Sequence, residues 1–256
     1  MGAVTIKNRM VVQSFGYKKY LPIGKPKVVV ENLDRWGVDE IFIQVIDRST
    51  SNLGPDLDLI NEISESGILT PIVYAGGIQN SKQAAEVIRS GVERVCVDLL
   101  LHNNPNEVKN IANRLGAQAI IGSLPIGIDE NGETYWYNYN SQSKCKVNNE
   151  VLSLINEGLI SELLLIDWEN EGFDEAFDFR ILKLFEGQDI PLILFGGLTT
   201  ENLIKKALNL PTVVSSVIGN KLNYTEHAVQ ALKNELKSSP IRSAYYHDRS
   251  IFKHYD

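Results

Sequence analysis

The chain has 256 residues, 43% hydrophobic and 22% charged, with 32 acidic side chains against 25 basic ones and a formal charge of −7. That length and composition bury a large core and exclude wholesale disorder, and the acidity argues against a nucleic-acid-binding surface, which shows a basic excess. Two cysteines make no disulfide framework, which points to a reducing, cytoplasmic setting; no apolar run approaches the ~20 residues of a membrane span, and the N-terminal MGAVTIKNRM has neither a secretory core nor a myristoylation hydroxyl.

Short apolar runs rich in β-branched residues alternate with longer amphipathic segments. In chain order the expected strands are 10–12, 41–46, 72–74, 95–97, 119–121, 163–166, 192–195 and 213–214. Such runs suit a parallel sheet covered on both faces. The helices expected between and after them are 26–35 (stopped by Gly37), 58–66 (by Gly67), 81–90 (N-capped by Ser81), 104–115 (stopped by Gly116), 148–156, 175–184, 201–208 and 225–237. Eight strand–helix units make a single (β/α)8 TIM barrel over 1–256 the expected architecture. An open doubly wound sheet is the alternative, and it rarely needs eight equal units.

The chain also echoes itself. Pro71 to Ile78, with Gly76-Gly77, resembles Pro191 to Leu198, with Gly196-Gly197, and Glu40-Ile41 resembles Glu162-Leu163. The two copies lie about 120 residues apart, too far for a solenoid. Two half-barrels of four units give this pattern; chance likeness among apolar strands is the bland reading. An insertion at about 127–149 breaks the rhythm: Asn131-Gly132 followed by alternating polar and aromatic residues reads as a β-hairpin. At the barrel's C-terminal face it serves either as a lid or as packing.

The Gly76-Gly77 and Gly196-Gly197 turns each follow a strand and precede a helix. Glycine lets the backbone approach an oxyanion, and barrels often hold phosphate after strands seven and eight, where Ser215 and Ser216 add hydroxyls. The alternative is that each pair merely makes a tight turn.

Beyond these patterns, the chain resembles the histidine-biosynthesis barrel family, from Arg9 to about Asn220, and most closely the cyclase subunit of imidazole glycerol phosphate synthase. The residues that carry the likeness are Arg9-Met10-Val11-Val12, Val38-Asp39-Glu40-Ile41, Val73-Tyr74-Ala75-Gly76-Gly77-Ile78, Leu163-Leu164-Leu165 with Glu169-Asn170-Glu171-Gly172, Phe195-Gly196-Gly197 and Ser215-Ser216-Val217. The resemblance implies two phosphate sites, one flanked by Gly76, Gly77 and Asp98, the other by Glu171, Gly172, Gly196, Gly197, Ser215 and Ser216. It implies an ammonia gate at the barrel bottom built from Arg9, Glu40, Arg94 and Glu162, under a docked glutaminase. The sequence itself shows no cofactor signature, and no metal is expected.

The same resemblance places the cyclase's two catalytic aspartates, at the ends of strands one and five, on Phe15 and Leu124, which exchange no proton. Other acids near that rim are Asp47, Asp98, Asp129, Asp167, Glu169 and Glu171, and Asp47, Asp167 and Glu169 are the catalytic candidates, against the reading that each is a solvated loop carboxylate or a cap. The charged ring is either a working gate or shared ancestry. Tyr17 to Tyr20 forms a basic-aromatic loop, suited to an anionic ligand or simply solvated. His102, His227, His247 and His254 show no metal-ligand spacing; Cys96 and Cys145 read as ordinary thiols. The 238–256 tail, with Tyr245, Tyr246, Phe252 and Tyr255, packs on the barrel or contacts a partner.

The leading expectation is therefore the synthase or cyclase subunit of a glutamine amidotransferase, a lyase of the imidazole glycerol phosphate synthase type, or a relative diverged to amidate an activated sugar for surface polysaccharide. Its partners would be a glutaminase subunit and a phosphorylated small molecule, with no nucleic acid and no membrane. The alternative is a barrel without catalysis that binds a phosphorylated ligand and docks or activates a glutaminase.

Overall fold

A computed structural model of the chain describes residues 1–223 and 228–244. Three strands open it, β1 (Gly2–Lys7), β2 (Met10–Phe15) and β3 (Lys19–Gly24), followed by α1 (Pro26–Trp36). Then come β4 (Ile41–Val45), α2 (Ile46–Thr50), α3 (Leu57–Ser64), β5 (Ile72–Ala75), α4 (Ser81–Arg89), β6 (Arg94–Val97), α5 (Leu99–Asn103), α6 (Pro105–Leu115) and β7 (Ile120–Ile128). The second half holds β8 (Thr134–Asn138), β9 (Ser143–Cys145), α7 (Asn149–Asn156), β10 (Glu162–Asp167), β11 (Leu192–Phe195), α8 (Glu201–Leu208), β12 (Val213–Val217) and α9 (Ala228–Glu235).

The parallel strands run in the order β12-β11-β10-β7-β6-β5-β4-β1. The sheet closes on itself where Ala3 N–H donates to the Ile218 carbonyl (2.8 Å) and Gly2 bridges Ile218 in parallel. The result is a (β/α)8 barrel. Apolar side chains alternate along each strand, because successive residues point to opposite faces. Ala3, Phe42, Val73, Cys96, Leu164 and Ile193 belong to a cluster inside the barrel, while Val4, Ile41, Ile43, Leu124, Leu163 and Leu165 pack outward against the helices.

Five expectations about the elements need correction, the smallest being that α4 is capped by Asn80, which accepts the Gln83 N–H (3.0 Å), and not by Ser81. The first barrel strand is Gly2–Lys7, not 10–12. Asn8 and Arg9, at φ 50° and 59°, turn the chain back, so Met10–Phe15 runs antiparallel to β1 as a hairpin above the barrel. An Asn-Arg turn lacks the glycine that usually marks such a reversal. The 175–184 segment is not an α-helix but ends in a 3-10 stretch, Phe179–Phe185. Its leading amides are drawn to the rim instead: Asp178 N–H donates to Asp167 Oδ2 (2.7 Å) and Ala176 N–H to the Gly197 carbonyl (3.2 Å). Ser215 and Ser216 lie within β12 rather than after it, and Ser216 is buried. Finally, Arg9 sits at the opposite end of the barrel from Glu40, half exposed and 3.9 Å from Asp56. Such an exposed contact contributes little. Of the expected 225–237 helix the described part is α9; Thr225, His227 and the tail residues Tyr245, Tyr246, His247, Phe252, His254 and Tyr255 lie outside the described residues.

The insertion forms a small antiparallel sheet with the extended end of β7. Its two faces do different work. Trp136 stacks on His102 at 3.6 Å on the helix side, and Tyr137 stacks on Trp168 at 3.8 Å over the mouth of the barrel. Neighbouring residues of one strand thus pack on two different surfaces, as its period of two requires.

Candidate active site

At the C-terminal rim the strand ends carry few charges toward the axis. Thr5 shares the inward parity of Ala3, and Gln44 that of Phe42. Gln44 Nε2 donates to Thr5 Oγ1 (2.7 Å), and the Tyr17 hydroxyl donates to Gln44 Oε1 (3.1 Å). Tyr17, at φ 53°, drops from the β2–β3 turn into the mouth and packs on the inner cluster. Burial, with Glu171 nearby, pushes its hydroxyl well above the ordinary range, so it stays a hydrogen-bond donor. Lys18 and Lys19 turn outward over the Trp168 and Phe15 rings.

This re-registers the catalytic question. The lumen-facing residue at the end of strand one is Thr5, not Phe15, which packs edge-on against Phe173. On β7, Leu124 faces the outer cluster, so the inward residues are Ser123 and Pro125. No carboxylate stands at either position.

The expected acids are engaged elsewhere. Asp47 lies in α2 rather than at a strand end, and its Oδ2 accepts the Asn8 N–H (2.8 Å). Asp167 shares the outward parity of Leu163 and Leu165, and its Oδ2 accepts Asn170 Nδ2 (2.9 Å) as well as the Asp178 amide. Burial raises it to about 6. Glu169 stands at the rim, where it accepts the Tyr135 hydroxyl (2.7 Å) and pairs with Lys144 (3.4 Å), tying the inserted hairpin down. Asp129 accepts the Asn131 and Glu133 amides in the hairpin turn. These carboxylates do not converge on one point.

Two glycine turns do face the mouth. Gly76 and Gly77 have φ 141° and 70°, and Gly196 and Gly197 have φ 105° and 73°. A Cβ on Gly76 would lie 2.6 Å from the Val45 carbonyl oxygen, and one on Gly196 would lie 2.4 Å from that of Asp167. Each turn is pressed against the end of the preceding strand, so both halves need glycine for the same steric reason. Beside Gly196-Gly197 opens a pocket lined by Glu171, Gly172, Gly197, Gly219, Asn220 and Lys221. Among the described residues, the Gly172, Gly197 and Gly219 N–H groups have no hydrogen-bond acceptor. Asn220 and Lys221 were missed in the sequence because the eighth strand was ended too early.

Glu171 closes this pocket. Its Oε2 accepts the Ser14 hydroxyl (2.8 Å) and the Tyr17 N–H (3.3 Å). Desolvation outweighs those bonds and raises its carboxyl to about 7. A raised carboxyl favours folding in its protonated form, so its contribution is complete below about pH 4.5 and is lost as the pH rises through about 7. Glu171 therefore adds stability when the chain is taken from pH 8 to pH 5, with Asp167 acting in the same sense and His102, lowered to about 4 by burial, opposing it. Glu171→Gln should flatten that gain above pH 6, measured as urea midpoints across the range; a wild-type slope kept in the variant would assign it to another group.

At the other end of the barrel, Arg94 opens β6 and Glu162 opens β10, with Glu40 just before β4. Arg94 donates from Nη2 to both Glu40 oxygens (2.6 Å each), from Nε to Glu40 Oε1 (3.0 Å), and from Nη1 to Glu162. One guanidinium thus bridges two carboxylates, all three mostly shielded from water.

The histidine biosynthesis protein family matches residues 1–228 of the chain. The imidazole glycerol phosphate synthase subunit HisF of Thermococcus onnurineus is 28% identical over 253 residues, 96% of this chain and 98% of its own. That of Thermococcus gammatolerans is 27% identical over the same shares. The HisF subunit of Bacillus subtilis is 23% identical over 91% of this chain and 93% of its own.

Proposed function

Because the chain belongs to the histidine biosynthesis protein family, we propose that it is the synthase subunit of a glutamine-dependent amidotransferase. A glutaminase docks over the Glu40–Arg94–Glu162 cluster, and ammonia passes up the lumen to a phosphorylated substrate at the opposite rim. The observation that carries this reading is the axial arrangement: a charged cluster at one mouth, an apolar lumen, and a pocket of unpaired glycine amides at the other. An apolar lumen suits neutral ammonia and opposes ammonium, whose charge is costly to desolvate. The free amides and Lys221 suit a phosphate. Arg94 would hold the mouth shut until the glutaminase displaces a carboxylate.

The rim favours a diverged reaction over the cyclisation itself. With Thr5, Ser123 and Pro125 at the ends of strands one and five, proton transfer has no carboxylate partner there. An activated sugar that only has to accept ammonia needs less acid–base help than a ring closure. The same observation favours, as a second reading, a barrel that binds a phosphorylated ligand and activates a glutaminase without chemistry of its own.

The test is co-purification followed by assay. A glutaminase is expected to co-purify, and glutamine hydrolysis should rise several-fold in the complex. Glu40→Ala should abolish that stimulation, whereas Glu169→Gln, at the far rim, should leave it intact. A chain that captures no glutaminase, or a Glu40→Ala variant with full coupling, contradicts the reading. With ammonium salt and the formimino ribulotide substrate, no cyclised product is expected; turnover would reinstate the cyclase.

A further inference from the structure

The two half-barrels repeat the same glycine turn but treat it differently. Around Gly196-Gly197 the Gly172, Gly197 and Gly219 amides are free among the described residues, and Lys221 lines the pocket together with Glu171 and Asp174. Around Gly76-Gly77 the donors that match Gly197 and Gly219, the Gly77 and Leu99 amides, are both taken. Gly77 N–H donates to Ser49 Oγ (3.1 Å). Asp98 follows β6 where Ile218-Gly219 follow β12, and its Oδ1 accepts the Leu99 N–H while its Oδ2 accepts the Tyr139 hydroxyl (2.6 Å). Arg48, the cation beside this turn, donates to the carbonyls of Leu53 (3.0 Å), Gly54 (2.7 Å) and Pro55 (3.1 Å).

We propose that the first-half turn no longer receives a phosphate, so the substrate presents one phosphoryl group, to the Gly172–Gly197–Gly219 pocket, and an uncharged end to the Asp98–Tyr139 side. A phosphate approaching Gly77 would have to displace Ser49 and then face the Asp98 carboxylate. Burial raises the Asp98 carboxyl, so beside a phosphate it would stand either as a repelling charge or as an acid whose oxygens already accept from Leu99 and Tyr139, and Arg48, the described cation at this turn, is committed to three carbonyls. The Asp98–Tyr139 pair is instead suited to hydroxyls: the carboxylate accepts from a sugar O–H, and the phenol exchanges one partner for another. The substrate class that fits is a sugar phosphorylated at one end only, as a monophosphate or through the diphosphate of a nucleotide. This inference rests on the second-half pocket being the anion site.

The test compares glycerol 3-phosphate with ribulose 1,5-bisphosphate by equilibrium dialysis on the full chain. Two linked sites raise affinity by a factor of about 100 or more over one. The bisphosphate is expected to bind within about threefold of the monophosphate, since a single site sees one end at a time. An advantage of about 100-fold would overturn the inference while leaving the second-half pocket in place. Binding of neither ester would overturn that pocket, and the inference with it. Asp98→Asn, which keeps the shape and removes the charge, should raise the bisphosphate's advantage several-fold. An unchanged ratio would remove Asp98 as the excluding group.

Discussion

Arg94→Met is expected to destabilise the chain by about 3 kcal/mol and to uncouple glutamine hydrolysis from ammonia transfer. Arg94 is the sole cation bonded to Glu40 and Glu162 among the described residues, and all three side chains are at most 22% exposed. Removing it strands two shielded carboxylates that its guanidinium had held together. Breaking such a pair from one side is far more costly than neutralising all of it, because the remaining charges keep their desolvation penalty. The triple variant Arg94→Met, Glu40→Gln, Glu162→Gln should therefore recover most of the lost stability in urea titrations. It should still leak ammonia, since nothing charged remains to close the mouth. A triple variant that regains both stability and tight coupling would make the cluster purely structural.

Gly172→Ala should have a comparable effect by a different route. Gly172 has φ 83°, and a Cβ there would lie 2.0 Å from the Ser14 carbonyl oxygen and 3.0 Å from Asn220 Nδ2. Those two residues are bonded to each other twice, Ser14 N–H to Asn220 Oδ1 (3.2 Å) and Asn220 Nδ2 to the Ser14 carbonyl (2.7 Å). The methyl group must part them, lifting β2 and its turn from the rim and distorting the pocket. Left-handed strain and overpacking together cost about 3 kcal/mol. Phosphate-ester affinity should fall at least tenfold. Gly132→Ala is the control: its φ is 82° but nothing lies within 4 Å of the added carbon. It should cost about 1 kcal/mol and leave ligand affinity unchanged. Equal effects from the two would mean that backbone conformation, and not the Ser14–Asn220 contact, sets the cost.

The residues of the candidate site are legible in the sequence to different degrees. Gly76-Gly77 and Gly196-Gly197 stand out because a tight strand-to-helix turn tolerates little else. Glu40, Arg94 and Glu162 stand out because a charge at the start of an apolar strand is conspicuous. Arg9 looked equally good by that criterion and lies at the other mouth, since the strand it was assigned to is a hairpin arm paired antiparallel to β1. Asp167 ends a barrel strand, but by parity it shares the outward face of Leu163 and Leu165. Gln44 carried a usable signal, a lone amide in an otherwise apolar strand, and it proves to join Thr5 to Tyr17. Tyr17 carried little, because a loop tyrosine reads as solvated until the loop's landing place is known.

Local pattern was enough to locate seven of the eight barrel strands, most of the helices, the inserted hairpin and the two-fold echo, because hydrophobic period and steric demand for glycine act over a few neighbouring residues. Which strand comes first, which face each acid presents, and which of two equivalent turns stays open depend on pairings across the fold. Gly2 meets Ile218, Ser14 meets Asn220, and Ser49 of α2 and Tyr139 after β8 close in on the first turn from separate elements. Contacts that distant in the chain leave no periodic trace, so the arrangement of side chains at the barrel's mouth follows from its closure rather than from any one segment.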